Sequence, residues 1–522
     1  MTSERQQKHV YKGALALLVA GILSKVISAF YRIPLQNLTG DIGFYIYQQV
    51  YPIIGIAFML ALYGFPAAIS RFLAEHREFK HNRYIYGKML AVMMLFSALL
   101  FLGLFFFSPV LANWMGDNQL IIPLKHISWV FLFVPFVALL RGVTQADEWM
   151  EPTAYSQMIE QLLRAAIIIV TAVFIFSGHL GVYQIADGAM IASIVALTAS
   201  FLFLYMFARK KRYWSQNTSV QQKGSGKLFS SIVLAGIVIS LNHMLLLLMQ
   251  LADAFTMVPG LVKFGMNVTE ATTLKGIFDR GQPLLQLVTV VGSSLALALV
   301  PAVTKLNWQS NREDTLAKLR LTMKYCLILS LGATVGLITL FPEVNQLLFQ
   351  NQLGTDSLRM VTISLLFTSL AVTMASTLQG FGYMRWTAYI IFGGLWLKMF
   401  LNGVLIPLAG IKGAAIATVI TVFVIALLYY LLLRQQLQGY SLFVMPWFKL
   451  LLASAMMASV LVIMKKIALY FFAFDNRFVL LVFVIGSVVV GLIVYALVVV
   501  KWRVLTKEEW QPILKKGKKG RQ

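Results

Sequence analysis

Charge is scarce in this chain, and unevenly split. Only 12% of its 522 residues are charged, and 44 lysines and arginines outweigh 20 acids. Soluble domains carry about twice that charged fraction, so a chain wetted over its whole surface is excluded. A single cysteine, Cys326, rules out an intramolecular disulfide; inside an apolar run it reads as a small core residue. The six histidines (His9, His76, His81, His126, His179, His243) form no HExxH or paired pattern, so no metal centre is expected. His243, alone in ISLNHML, reads as a packing or hydrogen-bonding residue. GSGK at 224–227 lacks the glycine that completes GxxxxGK[ST]. No phosphate loop is therefore expected to drive ATP hydrolysis, and no cofactor is called for. Energy would come from an ion gradient, the membrane potential or the substrate's own gradient.

What is present is hydrocarbon. The composition is 59% hydrophobic, and apolar runs of about 18 residues or more recur throughout, each able to cross a core of about 30 Å as helix. The fold expected is an all-α integral membrane protein with about 14 transmembrane helices, from 12–33 to 477–500. The first run lacks a small-x-small cleavage site and is followed by further spans, so it counts as helix 1 rather than a signal peptide. The net charge of +24 sits in short loops and tails, among them RFLAEHREFKHNR, ARKKRY and the terminal KKGKKGR. That asymmetry puts both termini in the cytoplasm and points to anionic headgroups rather than nucleic acid.

The chain also repeats itself. LLVAGI at 17–22 answers IVLAGI at 232–237, GFPAAISR at 64–71 answers LVPAVTK at 299–305, and Thr153-Ala154-Tyr155 recurs as Thr387-Ala388-Tyr389. DGAMIASIV at 187–195 recurs as KGAAIATVI at 412–420. Six helices per copy is an even number, so both copies enter the membrane from one side. The division expected is 1–11 cytoplasmic N-terminus, 12–212 first lobe (helices 1–6) and 213–227 basic linker. There follow 228–438 second lobe (helices 7–12), 439–500 helices 13 and 14, and 501–522 basic cytoplasmic tail. Two such lobes with a site between them is the architecture of an alternating-access transporter.

Charges deep in the spans carry the functional reading. A cation near the bilayer centre costs about 3 kcal/mol or more on insertion scales unless it meets water or a partner. Lys25 is too deep to reach either surface comfortably, whereas Arg32 lies nearer the outer one and fits a cavity or an interface equally. Glu160 and Arg164 are one helical turn apart, the spacing of a self-neutralised pair. The repeat places Lys398 opposite Arg164 and Gly394 opposite Glu160, so Lys398 is expected to be freer for an anionic ligand. FDRGQPLLQL puts Asp279 and Arg280 at the head of span 8, and Asp253 ends span 7, leaving 251–274 as the longest outer segment. Glu160, Asp253 and Asp279 are candidates for ion coupling or counter-charge, or are polar span ends. Cations outnumber acids at depth, which favours an anion, and lysine with arginine suits a diphosphate. Pro52, Pro66, Pro135, Pro283 and Pro301 interrupt spans in both lobes.

The segments GALALLVAGILSKVISAFYRIP, GDIGFYIYQQVYPIIG, GFPAAISRFLAE, RGVTQADEWMEPTAYSQMIEQLLR and GIFDRGQPLLQL…LALALVPAVTK resemble the polysaccharide-transporter branch of the multidrug/oligosaccharidyl-lipid/polysaccharide (MOP) exporter superfamily. That branch holds lipid II flippases and stage V sporulation B-type proteins, and the resemblance covers about residues 10–500. It implies a V-shaped pair of lobes, a lipid-tail groove at helices 13 and 14, and outward flipping of undecaprenyl-pyrophosphate-linked saccharides in a bacterial cytoplasmic membrane. It also implies cavity-facing cations at Lys25, Arg32 and Arg280; lysine at the first keeps the charge and loses bidentate geometry.

Residue reading and resemblance together point to a flippase rather than an enzyme. Lys25, Arg32, Arg164, Arg280 and Lys398 would bind the substrate's pyrophosphate, and membrane lipids would be the other partners. The alternatives are an organic-cation antiporter of the same superfamily, a membrane glycosyltransferase or polymerase, and a non-transporting scaffold.

Overall fold

A computed structural model describes residues 3–211, 226–290, 312–471, 476–505 and 509. Every regular element among them is helical, and eleven stretches are long and apolar enough to cross a membrane. This is a multi-pass, all-α membrane protein. Most of the basic linker and tail, the 299–305 half of one repeat match, and Pro301 lie outside the described residues.

The chain divides into two compact units. Unit one is Met1–Gln286 with Met384–Ala417, and unit two is Leu287–Tyr383 with Thr418–Gln522.

Unit one opens with α1 (Ser3–Phe30) and α2 (Arg32–Met59). The join at Tyr31 keeps right-handed helical angles, so the first rod runs on to Gly40. There φ is +69° and ψ −174°, a conformation only glycine adopts without strain, and the chain turns back at Asp41. α2 passes through a π-helical turn, Leu60–Gly64, into α3 (Phe65–Glu75). The next helices are α4 (Arg83–Met115), α5 (Ile121–Ser128), α6 (Val130–Ala146), α7 (Glu151–Phe176) and α8 (Ile185–Lys210). Asn82 caps α4 by accepting from the backbone N–H groups of Tyr84 and Ile85. Then come α9 (Gly226–Asn242), α10 (Leu245–Lys263), α11 (Val268–Asp279) and α12 (281–290).

One expectation needs correction. Residues 251–263 belong to α10, not to an outer segment, because LADAFTMVPGLVK keeps enough apolar faces to stay helical past its polar residues. Asp253 is therefore mid-helix. Asp279 ends α11, Arg280 keeps right-handed helical angles, and α12 follows directly, while the remainder of that expected span lies outside the described residues.

Unit two holds α13 (Arg312–Phe349), α14 (Thr355–Thr362), α15 (Ser364–Gly380), α17 (Trp447–Phe471) and α18 (Arg477–Lys501). α16 (Met384–Gln436) contributes to both units and is broken at Gly410, with φ +57° and ψ −138°. The unit-two core joins Tyr325, Ile328 and Leu340 of α13 to Leu450, Met457 and Leu461 of α17 and Tyr495 of α18. Tyr495 donates to the Ile328 carbonyl at 2.8 Å. Cys326 is fully buried in α13, and Thr373 of α15 donates to its sulfur at 3.3 Å. The core reading of this thiol holds.

Candidate functional site

The deep charges predicted from sequence all fall in unit one, where α1, α2, α7, α10, α11, the join between α11 and α12, and the first part of α16 supply them. Lys25 and Arg32 are seven residues apart on one continuous helix, hence on the same face and about 10 Å apart along it. Lys25 is exposed, whereas Arg32 is fully buried. The Arg32 guanidinium stacks 3.9 Å from the centroid of the Tyr51 ring. Its Nη2 donates to Ser28 Oγ at 3.3 Å, while Nε and Nη1 meet no hydrogen-bond acceptor among the described residues. Beside it the Tyr31 and Tyr47 hydroxyls bond to each other.

The other cations are matched by carboxylates. Arg280, fully buried, grips Asp41 with Nε to Oδ1 at 2.9 Å, Nη2 to Oδ1 at 2.6 Å and Nη2 to Oδ2 at 2.7 Å. Asp41 is placed for this by the break at Gly40. The approach also depends on Gly276, where a Cβ would lie 2.1 Å from the Asp41 carbonyl oxygen. One turn before Asp279 on α11, Lys275 pairs with it at 2.5 Å.

Lys398 lies 3.0 Å from Asp253 Oδ1 and donates to the Ala414 carbonyl at 3.0 Å. Asn402, one turn further along α16, donates to Asp253 Oδ1 at 2.8 Å and to Thr256 Oγ1 at 2.7 Å. The expectation that Lys398 would be freer than Arg164 is thus corrected. Its anion comes from α10, and the repeat comparison weighed only residues on the lysine's own helix.

Glu160 and Arg164 form the anticipated one-turn pair at 2.6 Å, and a third member joins them. Arg141 of α6 reaches Glu160 Oε2 at 2.8 Å, donates to Ser156 Oγ at 3.0 Å, and donates to the Ala61 carbonyl at 3.3 Å. That carbonyl belongs to the π turn of the second span, so a charged cluster on α6 and α7 pins the irregular backbone there. Arg164 also stacks 3.2 Å from the centroid of the Phe58 ring. At the same turn Tyr63 stacks on His243 with centroids 4.3 Å apart, which places that histidine in packing. Among the described residues no group of three potential metal ligands is found.

Sequence reasoning missed Asp41, Arg141 and Lys275. Lys275 and Asp279 have the spacing that identified Glu160 and Arg164, so the same rule finds them. Asp41 and Arg141 pair across helices, for which a single sequence carries no signal.

A family model described as polysaccharide biosynthesis protein matches residues 10–307. The chain belongs to that family. The membrane protein YabM of Bacillus subtilis (strain 168) is 36% identical over 512 residues, spanning 96% of this chain and 94% of the relative. Lipid II flippase MurJ of the same organism is 24% identical over 517 residues, with 93% and 94% covered. A solved lipid II flippase MurJ in an inward closed conformation matches with a TM-score of 0.68 at 15% identity, covering 93% of this chain and 98% of that one. An inward-facing MATE family transporter of the MOP superfamily matches at 0.59 and 16% identity, covering 80% and 95%. This family member therefore has the MOP fold that the sequence resemblance implied. The cation at Arg280, matched by motif, is held in it by an acid from GDIG.

Proposed function

We propose that this chain is a flippase that carries a lipid-linked saccharide, joined to undecaprenyl through a pyrophosphate, to the outer leaflet of a bacterial cytoplasmic membrane. The observation that carries the reading is the surplus of positive charge in unit one. Arg32 has no carboxylate within ion-pair distance among the described residues, and Glu160 is shared by two guanidiniums. A buried guanidinium with two unmatched N–H groups suits a phosphate oxygen, whose charge-assisted bonds strengthen in a low dielectric.

Alternating access supplies the mechanism. In the state described, Asp41, Asp253 and Glu160 hold Arg280, Lys398 and Arg164. A diphosphate competes with those carboxylates for the same cations, so entry of substrate and release of the internal pairs go together. Lys25 and Arg32 are the first contacts and Arg280 the last, with the headgroup handed along them while the tail stays in lipid. The termini lie in the cytoplasm, and the driving force is an ion gradient or the membrane potential. An organic-cation exporter shares the fold, but such a substrate calls for surplus acid where this chain has surplus base.

The test is a reconstituted assay in which a labelled lipid-linked precursor must become accessible in the outer leaflet. Lys25→Gln combined with Arg280→Gln and Asp41→Asn keeps the Arg280 site neutral while removing two cations. Transport should fall at least tenfold. Unchanged flipping by that folded variant rejects the proposal.

A further inference from the structure

A second candidate ligand site lies away from the charge cluster, on the other face of α7. A cavity of about 620 Å³ is lined by Trp149, Tyr155, Ile159, Leu162, Phe203 and Phe207, among others. Tyr155, Ile159 and Leu162 fall at i, i+4 and i+7 and make one stripe of α7. Ser156, Glu160 and Arg164 lie about 100–180° round the helix from Tyr155, so the body of α7 stands between this groove and the buried Arg164. The walls are aromatic and aliphatic, but one rim is basic. Lys211 sits with Nζ 4.1 Å from the centroid of the Trp149 ring, and the Trp149 and Phe207 rings lie 6.0 Å apart. Arg209 and Lys210, both exposed, precede it at the end of α8. The one acid in the lining, Glu151, turns toward α1, where a Cβ on Gly13 would lie 3.3 Å from its Oε2.

An apolar slot whose rim carries the Lys211 ammonium, with exposed Arg209 and Lys210 next to it in sequence, has the pattern of a lipid site: hydrocarbon below, phosphate above. Its volume falls in the range of about 300–1,000 Å³ typical of pockets for small ligands, and is too small for an undecaprenyl chain with a saccharide. We infer that this groove holds a resident anionic phospholipid, one acyl chain against the aromatic wall of α7 and α8 and its phosphate on Arg209, Lys210 and Lys211. The amphipathic ring of Trp149 belongs at such a boundary, its body apolar and its edge at headgroup level.

Native mass spectrometry of the full chain tests this with phosphatidylglycerol, phosphatidylcholine of the same chains, and undecaprenyl diphosphate. Wild-type protein should retain phosphatidylglycerol over phosphatidylcholine. R209Q/K210Q/K211Q, altered only at exposed residues, should lose about tenfold in phosphatidylglycerol affinity and with it the preference. Ile159→Trp, which fills the groove, should release both lipids. Equal retention of the two lipids by wild type, an unchanged preference in the charge variant, or unchanged retention in Ile159→Trp would each overturn the inference. So would displacement of phosphatidylglycerol from wild-type protein by undecaprenyl diphosphate, because the groove would then serve the carrier.

Discussion

Removing the ammonium of Lys398 tests whether the deep charges hold unit one together. Lys398→Met leaves Asp253 buried with Asn402 as its hydrogen-bond donor. Breaking a buried pair by losing one partner costs about 3–5 kcal/mol. Asp253→Asn strands the lysine in the same way. The double variant strands neither. The amide oxygen that replaces the Asp253 carboxylate can still accept from Asn402, and the deficit is the donor lost to the Ala414 carbonyl, about 1 kcal/mol. The single losses therefore exceed the double loss, and the cycle should show a coupling of about 3 kcal/mol or more. Equilibrium unfolding of the purified full-length protein in mixed detergent measures all four corners. Additivity within about 0.5 kcal/mol would mean that the contact is not an interacting pair, and the charge-exchange mechanism would lose its basis.

Gly276→Ala should destabilise by about 1–3 kcal/mol, because its Cβ meets the Asp41 backbone rather than a side chain that can move. Gly393→Ala, with nothing within 4 Å, should stabilise α16 by about 0.5–1 kcal/mol in the same unfolding assay. Arg141→Lys keeps the charge but cannot reach Glu160, Ser156 and the Ala61 carbonyl together, so the unfolding midpoint should drop and hydrogen exchange around the π turn should speed up. Arg32→Gln removes the unmatched guanidinium; flipping should fall more than tenfold, while loss of the stack on Tyr51 and the bond to Ser28 should cost no more than about 2 kcal/mol in the unfolding assay.

Hydropathy and charge scarcity made the helical membrane fold legible, because lipid forces each span to satisfy its own backbone and so writes its length into the chain. The pair at Glu160 and Arg164 was legible for a similar reason: helix geometry alone brings those side chains together. The partners of Lys398 and Arg280 were not, since Asp253 and Asp41 arrive from helices about 145 and 240 residues away in sequence, a separation with no periodic signature. Polar residues inside α10 mimic a span end, which hid Asp253 as a mid-helix acid until packing showed its lysine. The site read from sequence anticipated the one-turn neutralisation of Arg164 and missed the acids that reach Lys398 and Arg280 from other helices, together with Arg141 on α6.

The π turn at Leu60–Gly64 sets the phase of everything after it. One residue beyond an α-helical count is wound into that turn, so α3 leaves it about 100° away from where an unbroken α-helix of the same residues would point. Winding 60–64 as plain α-helix with no residue removed would swing Phe65, Ile69 and Phe72 out of the packed interior and withdraw the carbonyl that Arg141 binds. The width of this one turn, more than its lettering, is what the second span cannot surrender.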